Sequence, residues 1–268
     1  MIGAIIGDII GSRFELHKAD NRNFDLFTDL NFYTDDTVMT VAIAQALMTC
    51  GHDMASLPRE AVRCMQEFGR AYPDAGYGPA FKKWLESDDP QPYGSAGNSA
   101  PMRVSPCGDA AQSLEEAIQL SKDVTMVTHD HPEGLKGAEC VAVMVYLARS
   151  GMSKDEMRAY VSQNYYPLET TLPNVRAAYP FDDSSQGSVP QALLAFFEAE
   201  SFEEAIRNAV CIGGDSDTLA DIAGGVAGNY FSIPDRIRTR AFSYLPKQFI
   251  EIIERFEAFL ETRSAEIY

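Results

Sequence analysis

Apolar residues recur at helical spacing along much of the chain. Phe249, Ile252, Ile253, Phe256 and Leu260 follow the i, i+3, i+4, i+7 rule that puts them on one helix face, as do Ala61, Cys64, Met65 and Phe68. Leu219, Ile222, Ala223, Val226, Ala227 and Tyr230 make a third stripe. Ser113 with Glu116, Ser153 with Glu156 and Ser201 with Glu204 read as capping boxes that open helices. Alternation of period two, bounded by turn residues, is almost absent. The pattern therefore predicts an all-α protein, one domain over residues 1–268. At typical helix lengths it holds about ten or more helices.

Polar, glycine-rich segments punctuate these helices at 72–78, 90–99, 128–134, 182–188 and 211–217. Such loops are where a helical scaffold carries chemistry. Gly3, Gly7 and Gly11 recur every four residues, and so do Gly224 and Gly228. Each glycine costs a helix about 1 kcal/mol against alanine, and close approach of helix backbones is the expected compensation. A membrane dimer face is excluded, because the segments are short and carry Asp8 and Asp221.

Composition narrows the function classes. A formal net charge of -17 repels phosphate backbones, so no broad nucleic-acid surface is expected. A small anionic ligand would need local positive charge from metal ions, helix N-termini or backbone N–H groups. The five cysteines, at 50, 64, 107, 140 and 211, form no C-x-x-C pair, which points to reduced thiols in a cytoplasmic protein. The apolar start lacks a basic n-region and is interrupted by Asp8, so neither a signal peptide nor membrane attachment is expected. A monomer is expected.

Two acidic segments carry the candidate chemistry. Tyr33-Thr34-Asp35-Asp36-Thr37 precedes the apolar run that begins at Val38. Gly213-Gly214-Asp215-Ser216-Asp217-Thr218 opens a second helix. A helix N-cap accounts for either segment alone, but one helix needs one cap. Carboxylate and hydroxyl oxygens are hard ligands suited to Mg²⁺, Mn²⁺ or Ca²⁺ rather than Zn²⁺ or copper. Asp35, Asp36, Asp215 and Asp217 gathered in one place would repel one another, and two dications would offset them.

At this point the sequence resembles the ADP-ribosylglycohydrolases, the family of the bacterial dinitrogenase-reductase-activating glycohydrolase. The match runs in order through IGAIIGDIIGSRFE at 2–15, YTDDTVMT at 33–40, PDAGYGPAFKKWL at 73–85, YGSAGNSAPMRVSP at 93–106, VTHDHPEGLKGAE at 127–139 and GGDSDTLADIAGGVAGNY at 213–230. The resemblance implies a compact orthogonal helical domain that hydrolyses the N- or O-glycosidic bond between ADP-ribose and a protein side chain or small acceptor. It implies two Mg²⁺ or Mn²⁺ ions held by Thr34, Asp35, Asp36, Asp215, Asp217 and Thr218, with Asp217 bridging. Glu15 becomes a candidate general acid/base or water-orienting group beside the catalytic Asp36 and Asp217, and Asp74 a candidate proton relay. Gly94, Ser95, Gly97, Asn98 and Ser99 match the loop that binds the diphosphate, His129 matches a histidine of the same region, and Tyr77 and Gly78 fall beside the distal ribose.

The chain departs from the family where its loop reads Gly97-Asn98-Ser99 rather than Gly-Asn-Gly, and His131 has no family role. Three rival readings stand beside the resemblance. A metal phosphohydrolase built on His129-Asp130 would need further ligands, and His17 and His52 lie in unpromising contexts. A haloacid-dehalogenase-like phosphatase would need a strand before Asp215. A catalytically silent ADP-ribose-binding relative would have no use for two intact acidic sets.

Overall fold

The computed structural model describes residues 1–15, 17–51 and 53–265, so His52 lies outside the described residues. The described residues form fourteen α-helices, with three short 3-10 turns between them. They are α1 (Ile2–Gly11), α2 (Asp35–Cys50), α3 (Leu57–Ala71), α4 (Pro79–Glu86), α5 (Ser105–Ala110), α6 (Leu114–Thr125), α7 (Pro132–Arg149), α8 (Lys154–Asn164), α9 (Leu172–Ala178), α10 (Ser185–Phe197), α11 (Phe202–Ile212), α12 (Ser216–Tyr230), α13 (Asp235–Phe242) and α14 (Lys247–Ala265). No strand occurs among the described residues; a single bridge joins Gly97 to Ser184. The all-α expectation holds, and the strand that a haloacid-dehalogenase site requires is missing among them. No described helix is long and apolar enough to cross a membrane.

The predicted helix starts form with one difference. Ser153 and Glu156 make the full reciprocal capping box of α8. Ser113 and Ser201 accept from Glu116 N and Glu204 N as expected. Glu116 and Glu204, however, accept from Gln112 N and Glu200 N, one residue farther back than the box requires.

Helices α1, α2 and α12 form the centre and are buried nearly all round. The glycine rows explain how α1 and α12 fit together. A Cβ on Gly3 would sit 2.1 Å from Gly224 O, one on Gly7 2.0 Å from Ala220 O, and one on Gly11 2.5 Å from Asp217 Cα. As residue numbers rise on α1 they fall on α12, so the two helices run antiparallel with their backbones in contact. Helices α5, α7, α10 and α11 pack around this centre and are themselves largely buried, whereas α3 and α14 cover it with one apolar face each. The α14 stripe of Phe249, Ile252, Ile253 and Phe256 is buried and packs on α2. The Phe249 ring also contacts Tyr33, with centroids 5.5 Å apart, which steadies the chain as it enters the first acidic segment.

This packing yields a stability prediction. Gly7→Ala should destabilise the protein by about 3 kcal/mol or more, the upper range of overpacking costs, because its neighbour is backbone and cannot rotate away. Gly78→Ala, with nothing within 4 Å of the added carbon, should stay within about 0.5 kcal/mol. Urea unfolding of both variants checks the contrast; similar midpoints would contradict it.

Candidate metal centre and cleft

The close contact of α1 with α12 brings three acidic side chains of the buried centre together with the start of α2. Asp8, on α1, is fully buried. Its carboxylate accepts from Thr34 N at 2.9 Å, Thr34 Oγ1 at 2.8 Å, Thr37 N at 3.1 Å and Thr37 Oγ1. Asp8 thus caps α2 from another helix, satisfying N–H groups that a helix start leaves free and placing negative charge at the positive end of its dipole. In the sequence Asp8 shows only as an acid that interrupts an apolar run. Its signal was an acid on the face that the glycine row commits to burial.

Thr34 is the N-cap residue of α2, its side chain accepting from Asp36 N at 3.3 Å. The cap reading of the first segment is therefore correct for Thr34 and leaves both aspartates uncommitted to capping. Asp36 is buried, with Oδ1 lacking any partner. The second segment departs further from a simple cap. Asp215 occupies the N-cap position of α12 yet makes no capping hydrogen bond. Its Oδ2 accepts instead from Asn98 Nδ2 at 2.6 Å. Gly213 and Gly214 precede it at φ 84° and 72°, a left-handed pair that glycine adopts without strain. Asp217, in the first turn, is buried with Oδ1 unpartnered. Asp221 follows one turn later, 1% exposed, with neither oxygen partnered.

Buried carboxylates without partners are costly unless something neutralises them. Burial pushes Asp8 up to about 6 despite its four donors. Burial first, and then the charge of Asp8, pushes Asp35 up to about 7. Asp36 is held well above the usual range by burial, Asp8, Asp221 and Asp217. Asp217 is raised by burial and Asp215, and Asp221 by burial and Asp8. The donor set is all oxygen, and orphaned Oδ1 atoms of Asp36 and Asp217 lie within it, so its chemistry fits hard divalent cations. As the side chains stand, no group of three acidic, histidine or cysteine side chains among the described residues already forms a cage. Loading would therefore involve rotation of the carboxylates that face the cleft.

A cavity of about 450 Å³ opens over this centre, within the range of small-ligand sites. Thr34, Asp35, Asp36, Asp215, Asp217 and Thr218 line one end together with Glu15. Glu15 is exposed on its outer side; partial burial and then the charge of Asp215 raise its pKa. Asp74 and Gly78 line the rim, whereas Tyr77 is buried outside the lining with its hydroxyl unpartnered. Ser95, Gly97, Asn98 and Ser99 line the cavity too, next to Asp215.

Three of the expected N–H groups of that loop already have protein acceptors. Gly94 N donates to Asp130 Oδ1 at 2.7 Å, Gly97 N to Ser95 Oγ at 3.1 Å and Asn98 N to Asp183 O at 2.8 Å. Asn98 spends its side chain on Asp215 and Ser188, which ties the loop to the acidic centre. His129 is fully buried behind Ser99 and does not line the cavity. His131, without a role in the sequence, caps α7 by accepting from Glu133 N at 3.1 Å. Phe32, Phe181, Asp183, Phe81 and Arg103 also line the cleft. No sequence pattern marks them as site residues, because they come from segments that only folding brings together.

Comparison with known proteins adds an independent finding. The sequence model described as ADP-ribosylglycohydrolase matches residues 1–264. The chain is similar to "ADP-ribosylhydrolase ARH3" of Mus musculus, 24% identical over 87% of this chain and 83% of that one. It is similar to "ADP-ribosylarginine hydrolase Tri1" of Pseudomonas putida (strain GB-1), 25% identical over 95% of this chain and 77% of that one. A solved structure titled "ADP-ribosylglycohydrolase-related protein complex" shares the fold, with a TM-score of 0.74, 24% identity and coverage of 98% of this chain and 97% of that chain.

The raised carboxylates predict a pH dependence for the metal-free protein. Folded Asp8 and Asp35 hold protons up to about 6 and about 7, whereas an ordinary aspartate loses them near 3.8. The folded state therefore binds more protons between those values, and this contribution to stability, complete below about 4, falls as pH rises toward 7. Added Mg²⁺ should raise the melting temperature more at pH 7.5 than at pH 5, by mass action on the folded state. Thermal unfolding with and without Mg²⁺ at both pH values checks this; equal shifts would contradict it.

Proposed function

Because the chain belongs to the ADP-ribosylglycohydrolase family, we propose that it is a hydrolase, dependent on two Mg²⁺ or Mn²⁺ ions, that cleaves the N- or O-glycosidic bond between ADP-ribose and a protein side chain or small acceptor. The observation that carries this reading is the meeting of the two acidic helix starts in a single cleft that Ser95, Gly97, Asn98 and Ser99 also line, Asn98 in direct contact with Asp215. The names of relatives, one an ADP-ribosylhydrolase and one an ADP-ribosylarginine hydrolase, agree with it.

Thr34, Asp35, Asp36, Asp215, Asp217 and Thr218 are the residues that would hold the ions. When bound, the ions supply positive charge against the aspartates and lower the pKa of water at the site. The chain's own groups do the rest. Asp8 orients the α2 start from behind, through Thr34 and Thr37. Asn98 fixes the carboxylate of Asp215. Glu15 stands at the mouth with a raised pKa, able to hold a proton and pass it to a departing acceptor. Asp74 is an exposed rim group, placed to exchange protons with solvent. Phe32 and Phe181, 52% and 59% exposed, offer apolar surface that would shield the reacting bond from bulk water.

Release of ADP-ribose from a panel of arginine-, serine- and small-acceptor-linked substrates tests the function. Chelator should abolish release and Mg²⁺ or Mn²⁺ should restore it. Full activity in excess chelator, with no metal retained, would end the metal-dependent reading. Among variants, Asp217→Asn should lose more than about 100-fold in turnover, beyond what loss of an outer-shell partner costs, and more metal affinity than Asp36→Asn. Glu15→Gln should keep most metal binding while slowing hydrolysis. Metal stoichiometry and circular dichroism accompany the rates; near-normal turnover in folded Asp217→Asn would return the second acidic segment to a structural role.

A further inference from the structure

Arg103 is a guanidinium 1% exposed for which no acidic partner occurs among the described residues. It lines the cleft, and its Nε has no hydrogen-bond partner. Its Nη2 donates to Thr128 Oγ1 at 2.6 Å and to Val124 O at 3.3 Å. From there the contacts run on toward the cleft. Thr128 Oγ1 lies 2.7 Å from His129 Nδ1, and His129 Nε2 lies 3.1 Å from Ser99 Oγ.

The direction of these hydrogen bonds follows from donor and acceptor chemistry. A guanidinium only donates, so Thr128 Oγ1 accepts from Arg103 and must place its own hydrogen elsewhere. Its alternatives are Thr125 O at 3.3 Å and His129 Nδ1 at 2.7 Å. Thr125 O already accepts from Thr128 N at 3.1 Å and His129 N at 2.9 Å, which fills the two lone pairs of a carbonyl. The hydroxyl therefore donates to Nδ1, and the proton of the neutral ring sits on Nε2. Burial and the charge of Arg103 keep that ring from gaining a second proton at neutral pH. Nε2–H then donates to Ser99 Oγ, which is left with one hydrogen and the cleft before it.

We propose that Arg103, Thr128 and His129 form a one-way hydrogen-bond relay that fixes the Ser99 hydroxyl as a donor to an anionic oxygen of the bound ligand. The ligand group, a diphosphate oxygen, rests on the ADP-ribose reading; the relay does not. Ser99 stands where the family loop carries glycine, and Gly94, Gly97 and Asn98 have their N–H groups engaged with the protein. The serine thus supplies a donor in addition to backbone of which these three N–H groups are committed, and the buried histidine, which does not line the cleft, acts through it. Ser99 is the ligand-contacting residue; His129, Thr128 and Arg103 are positioning residues.

Two measurements decide the proposal. Long-range ¹H–¹⁵N correlation spectra of the ligand-free protein read the tautomer of His129. The expected result is a neutral ring protonated at Nε2 throughout pH 5 to 8; protonation at Nδ1 would overturn the relay. Calorimetric ADP-ribose binding then forms a double-mutant cycle. Ser99→Ala should weaken binding about tenfold, the loss of one donor to a charged oxygen. Thr128→Val should weaken it several-fold in the unaltered protein and cause no further loss in the Ser99→Ala background. Equal losses in both backgrounds, with circular dichroism unchanged, would make Thr128 merely structural. Failure of the unaltered protein to bind ADP-ribose would overturn the functional reading, whereas the tautomer, read without ligand, decides the relay in either case.

Discussion

The backbone contact between α1 and α12 is the constraint on which the rest of the molecule depends. Gly3, Gly7 and Gly11 face Gly224, Ala220 and Asp217 with no room for a Cβ. Any side chain there would push the helices apart. Separation would carry Asp8 away from Asp217 and Asp221, and with it the start of α2, which Asp8 holds through Thr34 and Thr37. Two helix beginnings distant in sequence thereby acquire one fixed relation. The cost in helix propensity, about 1 kcal/mol for each glycine, is the cost of bringing acidic groups together inside a protein.

That arrangement is electrostatically unfavourable as it stands. Asp36, Asp217 and Asp221 each have buried oxygens that no donor satisfies, and burial together with neighbouring carboxylates raises every one of them. A stable fold does not tolerate such a group without a counterpart. Protons can supply it at low pH and divalent cations at neutral pH. The loop that lines the cleft beside Asp215 is built on another logic. The N–H groups of Gly97 and Asn98 are satisfied within the protein, and Arg103 brings positive charge from behind a histidine and a serine.

Much of this was legible in the sequence where one side chain or one helix face carries the information. The stripes of α3 and α14 were legible because those helices bury one face each. The glycine spacing announced a close approach, though not which helix would meet which until Gly3 is seen against Gly224. Helices α1 and α2 are buried nearly all round, so they show no polar face for periodicity to detect, and the regular stripe of α12 at Leu219, Ile222 and Val226 does not tell that its other faces are buried as well. Asp8 and Asp221 were opaque for a related reason: a lone acid in an apolar run does not name its partner. The loop at 94–98 looked like a set of free donors because glycine permits close approach, but the partners Asp130 and Asp183 come from elsewhere in the chain. The same distance hides Phe181 and Arg103. The family resemblance covered that gap for the acidic sets, and it could not do so for Ser99, where the chain departs from the pattern.

On the metal-dependent reading, the orphaned carboxylate oxygens beneath the cleft would be cation ligands. Anomalous diffraction from crystals soaked in Mn²⁺ locates such ions without reference to activity. Two peaks are expected between the α2 and α12 starts, beside Asp35, Asp36, Asp215 and Asp217, the residues that would hold the ions. A fully occupied cleft of ordered water with no peak at saturating Mn²⁺, or peaks confined to the outer surface, would contradict it.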